Sequence, residues 1–165
     1  MNRKLRVAVL TSSDSGYAGM REDKSGPAIC AIMEELDYEV TETLLLPDDQ
    51  EMLEEAMKRI ADEERADLLL TTGGTGFSLR DCMPEATRKV CTRMAPGIPE
   101  AMRYYSMKIT RRAMLSRAEA GIRNRTLIVN LPGSPKAVKE CLEYIGPELR
   151  HGLEILLGEA GNCGG

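Results

Sequence analysis

Two stretches of the chain, Leu5–Leu10 and Ala66–Thr71, are apolar with no alternation, the pattern of strands buried on both faces of a sheet. Tyr38–Leu46, rich in β-branched and apolar residues, and Thr126–Leu131 predict two further strands. Ala120–Arg123 is placed to pair with the last of these across an Asn124-Arg125 turn. Between the strands the period lengthens. Met52, Leu53, Ala56, Met57, Ile60 and Ala61 recur at helical spacing after Pro47-Asp48-Asp49, and the methionines read as core filler. Ser25-Gly26-Pro27 opens a helix to about Leu36, with proline in its first turn. Pro84–Val90 and Glu100–Lys108 read as two more helices. Pro132-Gly133-Ser134-Pro135 precedes a helix through Tyr144, and a last helix is expected from Pro147 to Leu157. No repeat or linker interrupts the series.

Strands alternating with helices predict the α/β class: a three-layer single domain with a mostly parallel central sheet and helices on both faces. The expected domain spans residues 1–157, and residues 158–165, with four glycines and no apolar pattern, are expected to form a disordered tail. In such folds ligands bind at the carboxyl ends of the strands. Polar, acidic and glycine residues collect there: Thr11–Asp14 after the first strand, Pro47-Asp48 after the second, Thr72–Gly76 after the third, Pro132–Ser134 after the last. The loop from Thr11 to Ser25 is long for a domain of this size, a mark of function.

Composition narrows the chemistry. Lys+Arg 22 against Asp+Glu 26 leaves a net charge of −4, and aromatics make up only 4%, so neither the basic excess nor the stacking platforms of a nucleic-acid binder are present. No apolar run reaches the roughly 18 residues of a membrane span. The N-terminus leads straight into the first strand without signal-peptide character, so a cytoplasmic protein is expected. Five cysteines, no C-x-x-C pair and a single histidine, His151, argue against a zinc site. Cys30 and Cys141 fall at apolar helix positions, and Cys82 has no nearby histidine to activate it as a nucleophile. The basic run Arg111–Arg117, followed by Arg123 and Arg125, is either a solvated face or a neighbour of an anionic ligand.

The segment Thr71-Thr72-Gly73-Gly74-Thr75-Gly76 carries the most specific signal. Glycines there allow positive φ and close approach of successive N–H groups to an anion, and Thr72 and Thr75 add hydroxyls. No Gly-Lys-Ser/Thr closes the loop, so it is not a Walker A motif, and Leu79 stands where a dinucleotide fingerprint needs its third glycine. A plain tight turn is the weaker reading. Asp81, five residues beyond Gly76, and Asp48, at a neighbouring strand end, suit a magnesium ion held by two protein carboxylates and substrate phosphates. Asp48 reads equally as a helix N-cap, unless Asp49 takes that role, and Asp81 as a loop residue paired with Arg80. Gly133 and Ser134 form either an anion site at a helix N-terminus, with Lys136 adding charge, or an ordinary serine cap.

Taken together, these runs resemble the molybdopterin-binding family of molybdenum-cofactor biosynthesis. The resemblance rests on Thr71–Gly76, Arg80-Asp81, Pro84-Glu85-Ala86-Thr87 and Asn130-Leu131-Pro132-Gly133-Ser134-Pro135-Lys136-Ala137. Pro96-Gly97 with Glu100 and Arg103, Met114-Leu115-Ser116-Arg117, Ser13-Asp14 and Asp23-Lys24-Ser25-Gly26-Pro27 extend it, in order, from about Leu5 to Leu157. It implies transfer of AMP from Mg-ATP to the terminal phosphate of molybdopterin with release of pyrophosphate. It also implies a homotrimer and handover of product to a molybdate-insertion protein. Carried over, Asp48 and Asp81 are the catalytic and magnesium-binding positions. Gly73, Gly74, Thr75 and Gly76, with Thr72, hold substrate phosphates. Pro132, Gly133 and Ser134 hold molybdopterin, and Ser13, Asp14, Ser25, Gly26, Glu100, Ser116 and Arg117 complete the binding set. The attacking group is the pterin's own phosphate, so no protein nucleophile is needed. The alternative in the same family is a molybdopterin-binding or carrier protein without turnover.

Overall fold

A computed structural model describes residues 3–159 of the 165-residue chain. The elements in order are β1 (Leu5–Ser12), α1 (Asp14–Tyr17), α2 (Ser25–Glu35), β2 (Tyr38–Leu46), α3 (Gln50–Asp62), β3 (Leu68–Thr72), α4 (Met83–Val90), β4 (Arg93–Met94), α5 (Gly97–Met107), a 3-10 turn (Arg111–Leu115), β5 (Ala120–Arg123), β6 (Thr126–Leu131) and α6 (Pro135–Leu156).

The six strands form one sheet in the order β2-β1-β3-β6-β5-β4. β2, β1, β3 and β6 run parallel, while β5 folds back antiparallel on β6 and carries the two-residue β4. The parallel strands are apolar because both faces are covered. Leu5, Val7 and Val9 of β1 pack with Ile29 and Met33 of α2, Met102 of α5 and the apolar stripe of α6. Ala8 and Leu10 face the other way, toward Leu53, Met57 and Ile60 of α3 and Met83, Ala86 and Val90 of α4. This is the predicted three-layer arrangement, with a sheet mixed at one edge. Among the described residues no helix is long and apolar enough to cross a membrane.

The order in which strands are added across the sheet reverses at β1, since β1 connects outward to β2 while β3 lies on its other side, parallel to it. The carboxyl ends of β1 and β3 therefore flank a topological switch point, where a crevice opens between diverging loops. Both the polar loop after Ser12 and the glycine loop after Thr72 leave the sheet there.

Local differences from the sequence reading have local causes. A single helix, Pro135–Leu156, replaces the two expected, with Pro147 inside it. Proline removes one helical hydrogen bond. Pro147 is exposed, whereas Val138, Cys141, Leu142, Ile145, Leu149 and Leu153 form an unbroken buried stripe on either side of it. Packing of that stripe carries the helix through. The first helix of the long N-terminal loop, α1, was not expected; Ser13 caps it by accepting from the Gly16 N–H at 3.0 Å. Cys141 is buried and Cys30 half-buried, as small apolar residues of α6 and α2. Of the expected disordered tail, Gly158, with φ +72, and Glu159 still close onto α6 through N–H groups donating to Ile155 and Glu154 carbonyls; the remainder lies outside the described residues.

Candidate functional site

Gly73 and Gly74 hold φ values of +89 and +71, the left-handed region that glycine enters without penalty. Gly73 also has no room for a side chain: a Cβ there would lie 2.3 Å from the Ser12 carbonyl oxygen. The glycine loop is thus packed directly against the end of β1. Thr72, buried below it, donates its hydroxyl to the Pro132 carbonyl at 2.6 Å and ties the loop to the end of β6. Deeper still, Asn130 donates to the hydroxyls of Thr71 (2.9 Å) and Thr87 (2.8 Å) and accepts from the Glu119 N–H (3.0 Å), all four sites joined in one buried network. β3, β6 and α4 are thereby locked together under the loop.

The two carboxylates singled out in the sequence stand beside this loop. An oxygen of Asp48 is 3.4 Å from where a Cβ of Gly74 would lie, and an oxygen of Asp81 is 3.0 Å from the equivalent point at Gly76. Asp49, not Asp48, caps α3, accepting from the Met52 N–H at 3.0 Å. That releases Asp48, whose oxygens instead accept from the Ser12 hydroxyl (2.6 Å) and the Asp14 N–H (3.1 Å). Asp14 returns the contact by accepting from the Asp48 N–H at 2.9 Å. Asp81 does not pair with Arg80; it accepts from the Ser78 N–H at 3.0 Å. Arg80 reaches across to Asp14 with a two-pronged contact at 2.9 and 3.0 Å. The Arg80 guanidinium, followed by the Asp48 N–H, holds the Asp14 carboxyl below the usual range. Cys82 is pushed up to about 11 by burial and by the nearby charges of Asp48 and Glu85, so its thiol stays protonated at neutral pH.

Two clefts open on either side of the glycine loop. One, of about 460 Å³, is polar and is lined by Ser12, Ser13, Ser25, Thr72, Gly73 and Gly133 together with Arg21 and Lys24. Its wall is fixed by Asp23, which accepts from the Thr11 hydroxyl at 2.8 Å and from the N–H groups of Ser25 and Gly26 at 3.1 and 3.0 Å. The N-terminus of α2 is therefore already occupied by a carboxylate, and Gly26 lies behind the cleft wall. Ser25 donates its hydroxyl to the Gly133 carbonyl at 2.7 Å, closing the wall. The second cleft, of about 310 Å³, is more apolar and is lined by Thr75, Gly76, Met102, Arg103, Ser116 and Pro132, among others.

The remaining expected residues divide. Ser134 caps α6, its hydroxyl oxygen accepting from the Ala137 N–H at 3.2 Å. Glu100 is exposed in the first turn of α5 and lines neither cleft. Arg117 turns its guanidinium onto the carbonyls of Gly76 and Asp81 and the carboxylate of Glu85. Ser12, Asp23, Arg21 and Lys24 belong to the site although sequence reasoning gave them no role of their own. The short polar spacing Asp23-Lys24-Ser25-Gly26 is a turn signal that could have marked Asp23.

Among the described residues no group of three or more His, Cys, Asp or Glu side chains could cage a metal ion. A divalent cation at Asp48 and Asp81 would draw its other ligands from phosphates and water, as magnesium does. Both carboxylates keep lone pairs beyond the single contacts described for their oxygens, so the donor set fits.

Comparison with known proteins identifies the family of the chain. The family model described as a probable molybdopterin binding domain matches residues 8–151. The chain is 42% identical over 161 residues to the molybdopterin adenylyltransferase of Helicobacter pylori strain J99, covering 93% of this chain and 89% of that protein. It is 40% identical over 158 residues to the molybdopterin adenylyltransferase of Escherichia coli K12, covering 90% and 80%. The crystal structure of the molybdopterin biosynthesis enzyme MoaB from Thermus thermophilus superposes with a TM-score of 0.88 at 45% identity, covering 93% of this chain and 97% of that one.

Proposed function

The chain belongs to the molybdopterin-binding domain family, and from that premise we propose that it acts as a molybdopterin adenylyltransferase, moving AMP from Mg-ATP to the terminal phosphate of molybdopterin. The observation that carries the reading is the placement of Asp48 and Asp81 against two glycines of one loop, at the switch point of the sheet. In the proposed reaction an oxygen of the molybdopterin phosphate attacks the α-phosphorus of ATP. The new P–O bond forms as the bond to the bridging oxygen breaks, and pyrophosphate leaves.

The residues do positional and electrostatic work in this scheme. Gly73, Gly74, Thr75 and Gly76 offer backbone N–H groups to phosphate oxygens, and Gly133 with Ser134 offers a second anion seat at the start of α6. Arg21 and Lys24 supply positive charge at the rim of the polar cleft. Ser13 and Ser25 line that cleft, and Ser116 lines the other. Ser12 and the Asp14 N–H fix the two oxygens of Asp48, so its carboxylate is oriented before substrate arrives. Asp48 and Asp81 would hold magnesium, which when bound neutralises the triphosphate oxygens.

The free thiols of Cys30, Cys82, Cys91 and Cys141 suit the reducing cytoplasm proposed for this activity. Exposed apolar side chains on α5 and the turn after it, including Tyr104, Met107, Ile109, Met114 and Leu115, suit the homotrimer proposed for the chain. Handover to a molybdate-insertion protein would follow the adenylyl transfer.

Calorimetry tests the scheme against a carrier that only binds. An adenylyltransferase binds Mg-ATP, and Asp81→Asn abolishes turnover while molybdopterin binding persists. Molybdopterin binding with no nucleotide binding, by wild type under the same conditions, would establish the carrier instead.

A further inference from the structure

The six residues from Gly76 to Asp81 carry the second carboxylate out of the sheet, and little apolar burial holds them. Phe77 is 70% exposed and Leu79 fully exposed. Inside the loop the Asp81 N–H donates to the Ser78 carbonyl and the Ser78 N–H to the Asp81 carboxylate, both at 3.0 Å. These bonds shape the turn but do not anchor it. The Arg80–Asp14 pair does reach outside, yet it is solvent-exposed, and exposed ion pairs contribute little.

A single side chain gathers the two ends. Arg117 donates from Nε to the Gly76 carbonyl at 2.8 Å and from its second terminal nitrogen to the Asp81 carbonyl at 3.1 Å. Its first terminal nitrogen donates to both oxygens of Glu85, at 2.6 and 3.0 Å, and its backbone N–H donates to the Thr75 carbonyl at 2.9 Å. The guanidinium thus spans the loop like a clasp, with its charge neutralised by a carboxylate from the first turn of α4.

We propose that Arg117, held by Glu85, is a positioning residue: it clasps the two ends of the Gly76–Asp81 loop and so sets where the Asp81 carboxylate stands, instead of binding a substrate phosphate. The role of Asp81 on which this depends is that of the proposed adenylyltransferase. Four hydrogen bonds already engage all three guanidinium nitrogens, so of the five N–H groups one on the second terminal nitrogen is left, and a phosphate could take a two-pronged grip only by opening the clasp. Lysine cannot substitute, because a single ammonium cannot span two carbonyls and a carboxylate as the planar fork does.

Amide hydrogen exchange on the full chain, alongside pyrophosphate release from Mg-ATP and molybdopterin, tests this with Arg117→Lys and Glu85→Gln. For Arg117→Lys, exchange across residues 76–81 is expected to quicken by on the order of tenfold while β1, β3 and β6 stay protected. The same variant loses on the order of 100-fold in kcat, the cost of a small misplacement, with KM for molybdopterin near the wild-type value. Glu85→Gln, which keeps the arginine and removes its counter-charge, moves both readouts the same way by less. It also carries the test if Arg117→Lys does not fold. Unchanged exchange in 76–81 overturns the proposal, and so does a raised KM with kcat retained. Absence of pyrophosphate from wild type would sink the adenylyltransferase reading alone, because the exchange measurement still judges the clasp.

Discussion

Replacing Gly73 by alanine probes the contact on which the site geometry depends. At φ +89 the new residue would sit in the left-handed region, at a cost of about 1–2 kcal/mol. Its Cβ would also stand 2.3 Å from the Ser12 carbonyl oxygen, a backbone atom that cannot swing aside. Overpacking of this kind costs about 1–3 kcal/mol more. The sum is a loss of about 2–5 kcal/mol. The damage reaches function because Ser12 is the hydroxyl that holds Asp48. Gly152→Ala is the control: it lies within α6 with nothing within 4 Å of its Cβ position, and should gain about 0.5–1 kcal/mol. Urea unfolding at one fixed protein concentration measures both. A Gly73→Ala midpoint equal to wild type would refute the close packing of the loop on β1.

Three more expectations follow from particular contacts. Asn130→Ala leaves the Glu119 N–H and the hydroxyls of Thr71 and Thr87 without their shared partner, and urea unfolding should show a loss of about 2–4 kcal/mol. Burial pushes the Asp67 carboxyl up, but hydrogen bonds from Arg3 and from the Arg6 N–H and guanidinium outweigh it and hold the group down at about 2, against an ordinary value of 3.8. Because the folded value is the lower one, this stabilisation is present above the unfolded value and is lost as pH falls from 3.8 toward about 2. It is worth on the order of 2 kcal/mol, so Asp67→Asn should flatten the acid limb of the stability profile in that window. Sedimentation should show a species near three times the 18.2 kDa chain mass, and a clean monomer would contradict the proposed trimer.

Most of the fold was legible because burial dictates the residue types. β2 has the predicted bounds, Tyr38–Leu46, since a left-handed Asp37 and Pro47 punctuate it. The β5–β6 hairpin was readable from Asn124, which adopts φ +53 in the turn. β4 was not readable: two exposed residues, Arg93 and Met94, join the sheet only because β5 offers an edge. Pro147 misled because proline reports local backbone cost, while the stripe of α6 reports packing from both sides of it. In the site, the strand-end rule pointed to the glycine loop and Asp48, and Asp81 was legible from its place five residues beyond Gly76. Neither signal could foresee that Arg80 pairs with Asp14, 66 positions away, or that Arg117 grips Asp81, 36 away. Such partners are chosen by topology, which brings separate loops to one rim.

The central claim is adenylyl transfer, and pyrophosphate release tests it most directly. Purified protein is given Mg-ATP with and without verified molybdopterin. The account predicts pyrophosphate only when both substrates are present, in step with adenylylated molybdopterin, and its loss in Asp48→Asn and Asp81→Asn. Release no greater than that of a protein-free blank would contradict it.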